Sequence, residues 1–581
     1  MITSNQNNYE SMLVEALDRE SRGHIADAQE LYRTVLEQQP DNYQALTRFS
    51  LLEYRIHNYD SAVSLLKTAS GIYPNDHGIW FNLGVSYRAI GQAEKAIPCF
   101  EKVIQLNPAR LQAYIYMSEV YQQIGDIDSA LVSFQRASKL NLLDSDAQCQ
   151  YARLLDETAK NRSGKFDDAI DAYQSSITMD PENPEAPGRL GFLLEKINRV
   201  DEAEQAVLQG LPHTPSDPLM NLVLAKCKYH QKKYAEGIAC LRNVNINACA
   251  PQLQVLLYAE MAALHDKSGE YDHAFKYISM GNLQANNLWS AYSGETTTYL
   301  DKTEQLLKQV EQMEYIDAPA CIHDDYKDPV FLIGFPRSGT TLLDQVLDSH
   351  ECIHTMEEVP VFNRLLERTG DLGGRYPSNL EELSDSEIAE LRNAYFEEIS
   401  GYIEHPRDSL FIDKLPLNIC NILLINRIFP AARYILAIRH PCDACLSCFM
   451  QSFSYTMAMA SFYRLDTAVR LYDRIMRLWV LFEDNLDLDF HMIRYEDVVK
   501  DLEKETRQLL TFLGVSWDDN MLNFDRHARE RVTIKTPSYR QVREPIYRTS
   551  LNRWKHYQRH FEPLLPVLQP YIDRFGYGNR S

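Results

Sequence analysis

VFLIGFPRSGTTLLDQVLDSH, residues 330–350, is the stretch on which the reading of the C-terminal half turns. Four apolar residues, 330–333, run straight into Gly334-Phe-Pro-Arg-Ser-Gly-Thr-Thr341, and an amphipathic stretch follows. A strand, a glycine-bounded turn and a helix form an anion cradle, because backbone N–H groups and the helix dipole point at one spot. The spacing is that of a phosphate-binding P-loop, but Thr340 stands where a nucleotide-binding lysine belongs. That disfavours a kinase or GTPase. Arg337, inside the loop, can instead offer charge-assisted hydrogen bonds to a terminal oxyanion.

Further apolar runs lie at 410–412, 434–438 and 490–493, separated by helix-like stretches at 341–347, 467–482 and 501–513. Strands alternating with helices predict a parallel, doubly wound α/β sheet with ligands at the carboxyl ends of its strands.

The first half of the chain is written differently. Ala28, Ala62, Ala96, Ala130, Ala169 and Ala203 stand 34, 34, 34, 39 and 34 residues apart, Gly237 follows 34 later, and Ala274 comes 71 after Ala203. Pro40, Pro74, Pro108, Pro181 and Pro215 keep the same step apart from one longer unit. A period of 34 marks tetratricopeptide (TPR) units, each two antiparallel helices with a small residue where they cross and a proline after the second. Trp80, Leu83, Gly84, Tyr87, Ala96 and Phe100 give the full pattern in one unit, and an insert at 158–165 lengthens a turn. About eight units are expected over residues 8–285, a helical or irregular connector over 286–327, and the α/β domain over 328–581. Such arrays present a concave face to a peptide or partner helix.

At 581 residues the chain needs more than one core. Its net charge of −22 argues against general nucleic-acid binding. About −16 of that lies in residues 1–326 and about −6 in the remainder, yet residues 526–559 hold ten Lys or Arg against Glu530 and Glu544. A basic run in an acidic protein suits a bound anion or a solvated helix face. No apolar run approaches the roughly 20 residues that span a bilayer, and no signal segment opens the sequence. Eleven scattered cysteines fit reduced thiols in a cytoplasm better than a disulfide framework. Cys442, Cys445 and Cys448 share one expected helix face without a fourth ligand, a poor metal site.

The loop resembles the 5′-phosphosulfate-binding loop of sulfotransferases that use PAPS (3′-phosphoadenosine-5′-phosphosulfate), in the PRSGTT form of tyrosylprotein sulfotransferases and bacterial TPR-sulfotransferases. The resemblance implies an α-helical TPR solenoid followed by a P-loop-like α/β sulfotransferase domain, with PAPS as co-substrate and no metal. Pro336, Arg337, Ser338, Gly339, Thr340 and Thr341 would then bind the phosphosulfate. Arg439 and Ser447, in YILAIRHPCDACLSC, match the pair that grips the 3′-phosphate, and Tyr495 in MIRYEDVV matches the tyrosine near the adenine. Lys414, in LFIDKLPLN, matches the lysine near the bridging oxygen, and Glu358 occupies the place of the catalytic base, with Glu357 and His354 as rivals. The segment PSYRQVREPIY resembles a cofactor lid and offers Ser538 and Arg543. The implied reaction is transfer of a sulfuryl group to an acceptor hydroxyl, a polypeptide tyrosine recruited by the array. A carbohydrate, lipid or metabolite hydroxyl is the alternative acceptor, and a TPR interaction protein with a non-catalytic nucleotide-binding domain the alternative class.

Overall fold

The structure, a computed structural model, describes residues 2–159, 166–294, 297–313, 326–371, 376–378, 380, 382–402, 410–453, 456–524 and 551–578. Sixteen α-helices are described between residues 2 and 293, from α1 (Ile2–Ser21) and α2 (Ile25–Gln38) to α15 (Pro251–Lys267) and α16 (Tyr271–Ser293). They form the helical hairpins of a TPR solenoid. The repeated small residues are explained by packing. Ala28, Ala62, Ala96, Ala130 and Ala203 are fully buried, and a Cβ added at Gly84 would lie 2.8 Å from the Phe100 ring. The tight turns recur as well: Gly91, Gly125 and Gly269 take left-handed backbone, which glycine adopts without a Cβ penalty.

The chain divides into two compact units, Met1–Leu193 with Ala206–Thr214, and Leu194–Gln205 with Pro215–Ser581. In the second unit the last helical hairpin packs directly on the α/β elements. Asn282 of α16 donates to the Phe449 carbonyl at 2.9 Å, and the Phe275 ring stacks on His560 at 3.5 Å. Asp266 of α15, 8% exposed, accepts from Arg553 and from the Tyr557 hydroxyl at 2.6 Å.

Helix α17 (Tyr299–Gln312) lies within the expected connector and opens with a capping box of Thr298 and Asp301. The sheet has five parallel strands in the order β2-β3-β1-β4-β5: β1 (Val330–Gly334), β2 (Ile353–Met356), β3 (Leu410–Lys414), β4 (Arg433–Ile438) and β5 (Asp489–Arg494). Strand β1 is buried along its whole length, as a central parallel strand covered on both faces must be. Four of these strands fall where the apolar runs put them, and β2 is the addition. Helices α18 (Thr340–Asp348), α19 (Val361–Asp371), α20 (Asp385–Ser400), α21 (Ile422–Ile428), α22 (Pro441–Phe449), α23 (Met457–Ala460), α24 (Leu465–Asn485), α25 (Tyr495–Lys500) and α26 (Leu502–Leu513) link or cover the strands. Helix α24 turns Leu471, Ile475, Trp479 and Phe482 fully into the core. Its Arg474 and Arg477 pair with Glu304 and Glu311 of α17 at 2.8 and 2.5 Å.

The strand order places the site. The chain leaves β1 toward β2 on one side and leaves β4 toward β5 on the other. Their carboxyl ends therefore flank a crevice, the place where open α/β sheets bind ligands.

Candidate active site

Backbone sterics shape the loop after β1. A Cβ at Gly334 would meet the Ala437 carbonyl oxygen at 2.3 Å, so only glycine lets β1 pass this close to β4. Gly339 sits at φ 95° as the N-cap of α18, and a Cβ there would lie 2.6 Å from the Tyr495 ring. Arg337 holds φ 69°, a left-handed conformation costing a non-glycine residue about 1–2 kcal/mol. The Ser338 amide closes the turn onto the Phe335 carbonyl at 3.2 Å. With no side chain at its N-cap, α18 points its first-turn amides into the loop. Ser338, Thr340 and Thr341 are buried.

The strained arginine is held from the next strand. Arg337 Nε donates to the Ser447 hydroxyl of α22 at 3.1 Å, and Arg439, just past β4, donates from Nη1 to the Arg337 carbonyl at 3.2 Å. The Arg439 guanidinium lies 4.8 Å from the centre of the Tyr495 ring, which packs on Gly339. The structure thus brings Arg337, Gly339, Arg439, Ser447 and Tyr495 together at the crevice, from three separate stretches of sequence. Two guanidiniums beside an open helix N-terminus make an anion site.

Lys414 ends β3, two strands from β4, and is completely buried. Its ammonium lies 3.5 Å from Glu358 Oε1 and 4.0 Å from Asp344 Oδ2 of α18. Burial alone would lower its pKa, but the carboxylates of Asp344, Glu358 and Glu357 prevail and hold it raised. Both contacts exceed ordinary hydrogen-bond length, so the buried cation keeps donor capacity for another oxygen. Glu358 follows β2 at the carboxyl edge of the sheet, with its side chain 38% exposed. Glu357 is half-buried beside it. His354 sits inside β2, exposed, short of the strand end where Glu358 meets Lys414. Ser538, Arg543 and most of the basic run lie outside the described residues.

Several supporting groups gave no signal in the sequence. Asp344 is wholly buried and accepts from Gln345 Nε2 at 3.0 Å. Asp413, beside Lys414 on β3, accepts from the Tyr395 hydroxyl at 2.8 Å, and burial lifts its carboxyl to about 7. His440 caps α22 by accepting from the Cys442 amide; burial, with Lys555 and Arg439 nearby, drives its pKa down to about 4. Asp443 accepts from the Asn552 and Trp554 amides at 2.8 Å each, tying the C-terminal segment to the helix that carries Ser447. Cys442, Cys445 and Cys448 are buried core residues whose thiols burial pushes up, and Cys448 donates to the Pro336 carbonyl at 3.4 Å.

A sulfotransferase-family model matches residues 329–519, and tetratricopeptide-repeat models match 13–77, 78–109 and 161–227. The chain carries a sulfotransferase-family domain and TPR repeats. An uncharacterized protein of Aquifex aeolicus is 26% identical over 405 residues, 66% of this chain and 51% of that one. The chain thus spans about half the length of that relative. Protein-tyrosine sulfotransferase 1 of Danio rerio is 26% identical over 258 residues, 43% of this chain and 72% of its own. Protein-tyrosine sulfotransferase 2 of Gallus gallus is 24% identical over 271 residues, with the same shares. The sulfotransferase match spans all five strands of the sheet, from the loop of Arg337 to Tyr495. Among the described residues, no helix is long and apolar enough to cross a membrane.

Proposed function

We propose that the sulfotransferase domain uses PAPS to sulfate a tyrosine hydroxyl of a polypeptide that the TPR array recruits in the cytoplasm. The observation that carries this reading is the joining of Arg337, Arg439 and Ser447 in one crevice, with a buried lysine at the end of β3 and an exposed glutamate just past β2. The residues fit the co-substrate: the first turn of α18 has no side-chain cap, so its amides are open to an anion, and Lys414 has an unused buried donor. When bound, PAPS supplies a sulfuryl group on a phosphate leaving group.

The work left to the chain is positioning and charge stabilisation, as for phosphoryl transfer. Arg337 and the first-turn amides of α18 would hold the phosphosulfate end. Arg439 and Ser447 would hold the 3′-phosphate, and Tyr495 would line the adenine side. Lys414 offers fixed positive charge where negative charge grows on the leaving oxygen, and it needs no solvent reorganisation to do so. A phenol with pKa near 10 benefits from a base at neutral pH. Glu358 is the carboxylate at the sheet edge exposed enough to meet it. The distant likeness to protein-tyrosine sulfotransferases supports the phenol as acceptor.

Calorimetry tests the cofactor half of the proposal. Adenosine 3′,5′-bisphosphate should bind at least about tenfold more tightly than ADP, the 3′-phosphate contact being charge-assisted. ATP with magnesium should bind poorly, because no lysine stands at Thr340. Binding of ATP with magnesium as tight as that of the bisphosphate would refute it.

A further inference from the structure

The turn between α15 and α16 reads His265-Asp-Lys-Ser-Gly-Glu270-Tyr-Asp-His273. Gly269, at φ 79°, reverses the chain, and the Glu270 amide returns to the His265 carbonyl at 2.9 Å. The backbone therefore fixes three side chains on one spot: His265 at the end of one helix, Glu270 at the N-cap of the next, and His273 one turn along. His265 Nδ1 lies 2.6 Å and His273 Nδ1 3.4 Å from the same Glu270 oxygen, Oε2. All three donor atoms fall within 4.8 Å of one another, and among the described residues this is the one group of three ligating side chains so gathered.

The same turn recurs along the array with other occupants. Before α2 the three places hold Arg19, His24 and Asp27; at the turn closed by the Asp126 amide on the Tyr121 carbonyl they hold Tyr121, Asp126 and Ser129. The scaffold is common, and the ligating set belongs to the last hairpin. His265 is 3% exposed and stacked on Tyr277, so its ring is pre-oriented, and its buried Nε2 has no hydrogen-bond partner. The polar work of that ring is done at Nδ1. The neighbouring acids are committed elsewhere, Asp266 to Arg553 and Tyr557, and Asp272 to Arg559 at 2.6 Å. Among the described residues, Glu270 is the carboxylate that pairs with both imidazoles. The histidines, the His265 hydrogen bond foremost, hold its carboxyl below the usual range, with Arg242 adding to the effect.

We propose that His265, Glu270 and His273 form a site for a divalent transition-metal ion of the zinc type. Two imidazole nitrogens and one carboxylate oxygen are a common zinc donor set, with water in the fourth position. Bonds of about 2.0–2.2 Å in a tetrahedron separate donors by roughly 3.4 Å. Side-chain rotation of exposed Glu270 and His273 adjusts the present spacing to that. Arg242 opposes the ion, whose charge the single carboxylate only partly offsets. Bound there, the ion would lock the turn from which Asp266 and Asp272 hold Arg553, Tyr557 and Arg559. Its role is structural, and it stands independently of the reaction proposed above.

The test uses the full chain after chelator treatment, titrated with zinc by calorimetry and with cobalt by visible absorption. His273→Ala is the main variant, since that side chain is 62% exposed, and Glu270→Gln is the second. Wild type should bind one zinc ion, at micromolar concentration or tighter, that each variant binds more than about 100-fold more weakly, beyond the usual cost of losing only a supporting contact. Its cobalt spectrum should lack thiolate charge transfer, and zinc should raise the melting midpoint of wild type alone, while all three proteins melt alike in chelator. Equal zinc stoichiometry and affinity in wild type and His273→Ala would overturn the site. So would a cobalt spectrum that is unchanged in both variants.

Discussion

Lys414 lies within 4.0 Å of two carboxylates, and the structure makes them unequal. A pair of unit charges 4 Å apart interacts by about 4 kcal/mol at an effective dielectric of 20 and by about 1 kcal/mol in water. Asp344, at 4.0 Å and fully buried, belongs to the first regime. Glu358, at 3.5 Å but 38% exposed, lies toward the second. Asp344 is therefore the main counter-charge that keeps the ammonium protonated. In the proposed reaction it also remains in place when Glu358 would take the acceptor's proton and cease to be an anion. Replacing Asp344 by Asn removes the charge with little change of shape. The alkaline limb of the turnover profile, set by Lys414 losing its proton, should therefore move to lower pH. Glu358→Gln should move that limb less, while lowering turnover by roughly 10²–10⁴ throughout, the usual worth of a positioned base. The assay is initial rate from about pH 6 to 10 at saturating donor, with bisphosphate affinity and melting midpoint measured alongside. The Asn variant should also lose about 3–5 kcal/mol of stability, because it leaves a buried cation short of its partner. The reasoning is refuted if Asp344→Asn keeps the wild-type alkaline limb, or if Glu358→Gln shifts it further.

Arg439→Gln should weaken adenosine 3′,5′-bisphosphate by about 10–150-fold, equivalent to a charge-assisted bond of about 1.5–3 kcal/mol, and AMP far less. Equal losses in calorimetry would mean that Arg439 acts only by holding the Arg337 carbonyl. A fragment of residues 286–581 should fail to melt cooperatively, because it strips Asp266 from Arg553 and Tyr557 and removes Phe275 and Asn282. A fragment starting at residue 184 should melt cooperatively, and equal behaviour of the two would contradict this. His440, depressed from 6.5 to about 4, contributes stability that is present above pH 6.5 and lost as pH falls through 4. His440→Asn should remove roughly 3 kcal/mol of that acid sensitivity from the pH dependence of unfolding, and an unchanged slope would count against it.

What the sequence made legible follows from how local each signal is. The loop at 334–341 and the strand before it are contiguous, so hydropathy and glycine placement were enough. The 34-residue period likewise reports pairing between adjacent helices. It says nothing of what covers the outer face of a hairpin. Ala274 continues the series of small residues, yet its neighbour Phe275 packs against His560 and Phe449. Strand β2 escaped because an edge strand of four residues, Ile-His-Thr-Met, has only two apolar positions. Asp344 looked like any acid on an amphipathic helix, since the lysine that makes it a buried counter-charge comes seventy residues later. His440 and Asp443 carry no sequence signal for the same reason: their partners, Trp554 and the amides of Asn552 and Trp554, are distant in sequence.

The most direct test of the account is transfer itself. Full-length protein incubated with PAPS labelled in the sulfuryl group is offered a panel of tyrosine peptides, glycans and phenolic metabolites, and the label is located by mass spectrometry. The account predicts label on a tyrosine oxygen, transfer reduced by roughly 10²–10⁴ in Glu358→Ala, and bisphosphate affinity nearly unchanged in that variant. Label on a sugar or metabolite hydroxyl alone would contradict the acceptor. No transfer to any member of the panel, from protein that binds the bisphosphate tightly, would contradict the activity.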